Sequence, residues 1–155
     1  MPLNMRQFML VLFLLVGLSQ GVQSSERPWV ELAGKRYVVE LAADDYSRMR
    51  GLMFRESMPR DAGMLFVFEA EYPQAFWMKN TLIALDILYF DSAGKLVSMS
   101  THTPPCKTAY CPSYPSSAAA RYVLELNAGE AEQLQLKPGA RLQFGPDIAG
   151  APSDR

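Results

Sequence analysis

A chain of 155 residues, 49% of them hydrophobic and 20% charged, has the size and composition of one globular domain, which excludes the disordered and fibrous classes. With 15 basic against 16 acidic residues it has no surplus of positive charge, and this counts against nucleic acid or an anionic membrane surface as a partner.

The chain opens with Arg6, an apolar run of eleven residues from Phe8 to Leu18, and a polar, small-residue stretch from Ser19 to Ser24. That order is the architecture of a secretory signal peptide. A membrane span needs about 20 apolar residues, so no stable span is expected after cleavage. A cut after Ser24 makes residues 1–24 the signal peptide and 25–155 a single β-rich domain with its core at about 29–144; a cut after Gly21 is the alternative. No cysteine lies near the junction, which argues against a lipid anchor. The expected location is periplasmic or secreted.

Trp29-Val-Glu-Leu32 and Tyr37-Val-Val-Glu-Leu41 read as strands paired across Ala33-Gly34. Asp44 is placed to cap a short helix running toward Gly51. Pro59 to Gly63 is a turn by composition, and Met64-Leu-Phe-Val-Phe68 is a continuous apolar run suited to a buried strand. Pro73 is read as a break, after which Ala75 to Met78 forms another strand and Asn80-Thr81 turns the chain into Ala84 to Phe90. Asp91-Ser-Ala-Gly94 then closes a hairpin with Lys95 to Met99. Residues 101–120, rich in Pro, Ser, Thr and Ala, read as one long ordered loop. Tyr122 to Leu126 is a strand, Asn127 with Glu130 a capping box for a second short helix, and Ala140 to Phe144 the last strand. The fold class expected is mainly β: a compact antiparallel sandwich or partly closed barrel with two short helices.

The two cysteines, Cys106 and Cys111, read as a disulfide in an oxidising compartment. Closing so short a loop stabilises by about 2 kcal/mol, enough to shape that loop. The rival is a metal site of both thiolates with His102, the only histidine, but it needs reduced thiols to survive export. No cofactor motif is present, so no metal or cofactor is expected.

The segments Gly51-Leu-Met-Phe-Arg55, Gly63-Met-Leu-Phe66, Phe76-Trp-Met-Lys-Asn-Thr81, Leu85-Asp-Ile87 and Tyr122 to Gly129 together resemble the family called domain of unknown function 192. The resemblance runs from about Val38 to Phe144, with Ala84 where family members usually carry proline. It implies a small, often exported β-rich fold and implies no reaction.

The sequence carries no His-Glu-x-x-His helix, no Gly-x-Ser-x-Gly elbow and no phosphate-binding Gly-rich loop. Whether it is an enzyme is open. Polar residues set among apolar ones are the candidate ligand-binding group: Arg50, Arg55, Trp77, Lys79, Asn80, Asp86 and Glu125. Asp86 and Glu125 lie inside strands, where a charge on a buried face is either paired or functional. One reading pairs Arg50 or Arg55 with these acids as scaffold. The other lines a cleft for a small polar ligand or an envelope partner protein, with Trp77 as an aromatic floor. Met49, Met53, Met58, Met64 and Met78 raise a third possibility, a copper carrier, though core packing is the expected role, since methionine fills irregular cores and three of these five sit in runs of Leu and Phe. A hydrolase or transferase built on Asp86 and Glu125 is the fourth. The signal peptide is directly testable: mass spectrometry of the exported protein should give Ser25 as its first residue, and an intact Met1 would overturn the reading.

Overall fold

The computed structural model describes residues 27–146, 148 and 151, so the expected signal peptide at 1–24 lies outside the described residues. Strand β1 (Trp29–Leu32) turns back into β2 (Lys35–Ala42), followed by helix α1 (Asp45–Arg50) and the long β3 (Ala62–Trp77). Then come β4 (Leu85–Phe90), β5 (Leu96–Thr103), β6 (Ser113–Asn127), helix α2 (Glu130–Gln133) and β7 (Leu142–Phe144). All strands belong to one sheet ordered β5-β4-β6-β3-β2-β1-β7.

The sheet curls until its two edges meet. Leu96 N–H donates to Ala140 C=O at 2.8 Å, Gly139 N–H to Leu96 C=O at 2.8 Å, and Leu142 N–H to Gly94 C=O at 2.8 Å. Gly94 makes this closure possible: its φ is +73°, and a Cβ there would stand 2.8 Å from the Leu142 carbonyl oxygen. The hairpin that carries it is set by Asp91, whose Oδ1 accepts from the backbone of Ala93 and Lys95.

Every pair is antiparallel except β2 with β3. Parallel neighbours need a crossover of a dozen or more residues. Residues 43–61 supply it, carrying α1 across one face of the sheet. Asp44 caps α1 in a reciprocal capping box with Ser47, as the sequence indicates.

Curling divides the apolar residues into two sets. Inside lie Val30, Leu32, Tyr37, Leu65, Leu88, Phe90, Tyr122, Leu124 and Leu126, with Ala131 of α2 plugging one end. Outside, on β3, β4 and β6, lie Phe66, Ile87, Tyr89 and Val123, covered by Leu52 and Met58 of the crossover and by Met78. Thus Met58, Met64 and Met78 pack in the core, while Met49 is exposed. The Met78 sulfur also accepts from the Thr103 hydroxyl at 3.4 Å.

Three sequence expectations are corrected. Pro73 does not end β3; it sits opposite Ala119 between two bulges, where a missing N–H is tolerated. The 101–120 segment is shorter as a loop than expected, because β5 runs to Thr103 and β6 begins at Ser113. No capping box starts α2: its cap is Gly129 with φ +92°, and the Asn127 amide instead donates to the Met58 and Pro59 carbonyls. Asp86 does the capping from a distance. Its Oδ2 accepts from Ala131 N–H and its Oδ1 from His102 N–H, both at 2.8 Å. Glu130 in turn accepts from Lys35 Nζ and Tyr37 OH, each at 2.5 Å.

Asp86 is fully buried and satisfied by backbone donors, so removing it orphans two N–H groups. Asp86→Ala should cost about 2–4 kcal/mol in urea unfolding, with Asp86→Asn costing less. A change under about 0.5 kcal/mol would show that water replaces the carboxylate.

Candidate functional site

The crossover leaves a cleft where it meets the outer face of the sheet. After α1 the chain turns at Gly51, whose φ is +47°; a Cβ there would stand 3.3 Å from the Phe66 ring. This lets the backbone lie close over β3 and sinks Leu52 into the outer core. Phe54 N–H then donates to the Asn80 carbonyl at 2.8 Å, tying the crossover to the turn after β3. That turn is held from its other side, since Asn80 N–H donates to Cys106 C=O at 2.8 Å. Cys106 and Cys111 form a disulfide with Cα atoms 5.9 Å apart. The loop it closes fixes Lys79, whose Nζ donates to Thr108 C=O at 2.6 Å.

The inner part of the cleft has a volume of about 30 Å³ and is lined by α1 and the turn after it, by Phe66, Phe76 and Trp77 of β3, by Lys79 and Thr81, and by Glu125 of β6. An outer part of about 260 Å³ shares Arg48, Met49, Phe66, Phe76 and Trp77 and adds Phe68, Gln74 and Ala75. The aromatic wall is built edge to face. Phe76 meets Phe66 at 4.8 Å, Phe68 at 6.5 Å and Tyr89 at 6.0 Å between ring centroids.

Glu125 is 4% exposed and makes no hydrogen bond or ion pair among the described residues. Every fully sealed side-chain oxygen or nitrogen does have a partner, so the small surface Glu125 keeps is its opening to the cleft. Burial, with no compensating charge, pushes its pKa from 4.5 up to about 8. It therefore keeps its proton at neutral pH. Tyr89 beside it is pushed above the ordinary phenol range by burial first and by the Glu125 charge second.

Arg48 is spent on structure: Nη1 donates to the Ala43 and Val67 carbonyls, Nη2 pairs with Asp45 at 2.6 Å, and the guanidinium lies over Phe68. Among the described residues, Arg50 hydrogen-bonds the Tyr46 hydroxyl at 3.4 Å and neither Arg50 nor Lys79 has an acidic partner. The cleft thus combines an aromatic wall, two cations without counter-charges among the described residues, and one buried carboxyl.

The family model for domain of unknown function 192, described as uncharacterized ACR, matches residues 29–144. The chain belongs to this family. Among solved structures, this DUF192 domain is similar to a protein of Sinorhizobium meliloti 1021 described as a candidate transcription regulator: 38% identity, TM-score 0.70, covering 77% of this chain and 94% of that one. It is also similar to a protein of unknown function from Novosphingobium aromaticivorans DSM 12444, at 25% identity and TM-score 0.70, covering 82% of this chain and 99% of that one. Comparison with curated proteins finds no match.

Of the seven residues singled out in the DUF192 sequence, the fold brings Arg50, Trp77, Lys79 and Glu125 to one cleft. Asn80 serves the cleft through its backbone, with φ +55°. Arg55 is elsewhere, paired with Glu40 at 2.6 Å beside a separate surface groove. Asp86 faces the inner core while Glu125 faces the outer one, because they sit on opposite sides of the sheet. Two expectations fall with this geometry: neither arginine neutralises either acid, and the two carboxylates cannot act together on one substrate. Phe66 and Phe68 were legible only as core, although their period-2 spacing with Phe76 beyond the bulges is what makes the wall.

Between the ordinary glutamate value and about 8, the folded domain binds one proton that the unfolded chain has released. Stability should therefore fall as pH rises from about 5 to 8, by up to about 1.4 kcal/mol per pH unit, and level off above. Glu125→Gln should flatten this profile and be the more stable form at pH 9. Thermal unfolding from pH 5 to 9 decides it; parallel profiles for both proteins would show that Glu125 ionises freely.

Proposed function

We propose that this domain is a small binding module of the cell envelope whose ligand, small and polar, enters the cleft between the crossover and β3. The observation that carries the reading is Glu125. A carboxyl kept nine-tenths buried without a partner among the described residues costs stability, and such a cost is typical of a group reserved for a ligand. The aromatic wall ending at Trp77, which is 55% exposed, gives the ligand a flat face, and Arg50 and Lys79 supply charge at the mouth.

Export is part of the proposal. Its supports are the expected signal peptide and the Cys106–Cys111 disulfide, a bond that persists in oxidising compartments. No helix among the described residues is long and apolar enough to cross a membrane. The description of the S. meliloti protein as a regulator stays with that protein, since this chain has no excess of the basic residues that phosphate backbones require. Copper carriage is the weaker reading because Met58, Met64 and Met78 are committed to packing.

The test is a thermal-shift screen of the 25–155 protein against small metabolites, repeated with Trp77→Ala. A ligand should raise the unfolding temperature of the parent protein. Trp77→Ala should abolish that rise while changing basal stability by less than about 0.5 kcal/mol, as exposed substitutions do. Ligands that stabilise both proteins equally would move the site away from the cleft.

A further inference from the structure

We infer that Glu125 is the counter-charge for a primary ammonium group, and that the cleft takes a small zwitterion of the α-amino acid kind. The inference rests on the cleft being the binding site and names its ligand class.

The Glu125 carboxyl has no partner among the described residues, and it lines the cleft together with Phe66 and Phe76. An ammonium there would be met by a carboxylate in an apolar surround, and burying the two charges together costs less than burying either alone.

The mouth supplies the other half. A simple amine would pass Arg50 and Lys79, which carry positive charge without acidic partners among the described residues, and be repelled. A carboxylate on the carbon next to the amine turns that repulsion into charge-assisted hydrogen bonds. The outer part of the cleft, with Phe68, Gln74 and Trp77, has room for an apolar or aromatic side chain.

The titratable and charged groups around the cleft are Tyr89 from β4, which interacts with Glu125, and Arg48 and Arg50 from α1 and Lys79 from the turn after β3, which line the cleft without compensating the Glu125 charge. None of them is an acid able to share its proton. When the ammonium arrives fully protonated, the Glu125 carboxyl therefore gives its proton to solvent, and one ammonium–carboxylate pair remains. Binding below about pH 8 releases one proton per ligand.

Calorimetry at pH 7 in two buffers of different ionisation heat reads this directly, with L-phenylalanine, 2-phenylethylamine and 3-phenylpropanoate as probes. L-phenylalanine should bind with release of close to one proton, 2-phenylethylamine at least tenfold more weakly, and 3-phenylpropanoate not measurably. In Glu125→Gln, L-phenylalanine should bind at least tenfold more weakly with no proton release, while the unfolding temperature at pH 7 does not fall. Binding of 3-phenylpropanoate as tight as that of L-phenylalanine, or binding of L-phenylalanine without proton release, would overturn the ammonium assignment. Loss of such binding in Trp77→Ala would keep the cleft as the site. Failure of all three probes to bind also rejects the inference, and the cleft is then judged by the metabolite screen alone.

Discussion

The parallel pairing of β2 with β3 is the constraint from which the rest of this molecule follows. Two parallel neighbours cannot be joined by a tight turn, so residues 43–61 must travel the length of the sheet before β3 begins. The chain spends that distance on α1 and on the Gly51-Leu52 segment, which lie over the outer face of β3. A sheet face that would otherwise be wet is thereby covered, and a polar residue on it loses its water. Glu125 is that residue.

Three buried acids show how differently the same side chain is treated in one small fold. Asp86 is met by two backbone N–H groups and Glu130 by a lysine and a tyrosine. Both hold α2 against the open end of the barrel, and their desolvation is offset by donors placed for them. Glu125 receives no such donors among the described residues and answers burial by holding its proton. A scaffold carboxyl and a waiting carboxyl are thus distinguishable by their partners and not by their depth.

The disulfide belongs to the cleft as much as to the fold. Cys106 accepts from Asn80 N–H, and its own N–H reaches Met78 C=O at 3.3 Å, so the bridged loop grips both sides of the turn that carries Lys79. Phe54 grips the same turn from the crossover. Two segments distant in sequence therefore fix the mouth, giving Lys79 a defined place beside the aromatic wall.

Much of this was legible in the sequence. Alternation and turn chemistry located the strands, the Asp91–Gly94 hairpin and the Asp44 cap, because each depends on residues within a few positions of one another. The suspicion attached to Glu125, Trp77, Lys79 and Arg50 was legible too, since a charge inside an apolar strand stands out wherever it occurs. What tertiary structure alone decided is the company each residue keeps. Period-2 geometry puts Asp86 and Glu125 on some face of their strands but is silent on register, and the β4–β6 pairing sets Ile87, not Asp86, opposite Glu125. The direction of β3 relative to β2, the continuation of β3 through Pro73, and the long-range backbone bonds that close the barrel are likewise contacts between distant segments. Local sequence specifies what a residue can do; only the assembled sheet determines whether it is given a partner or left to find one.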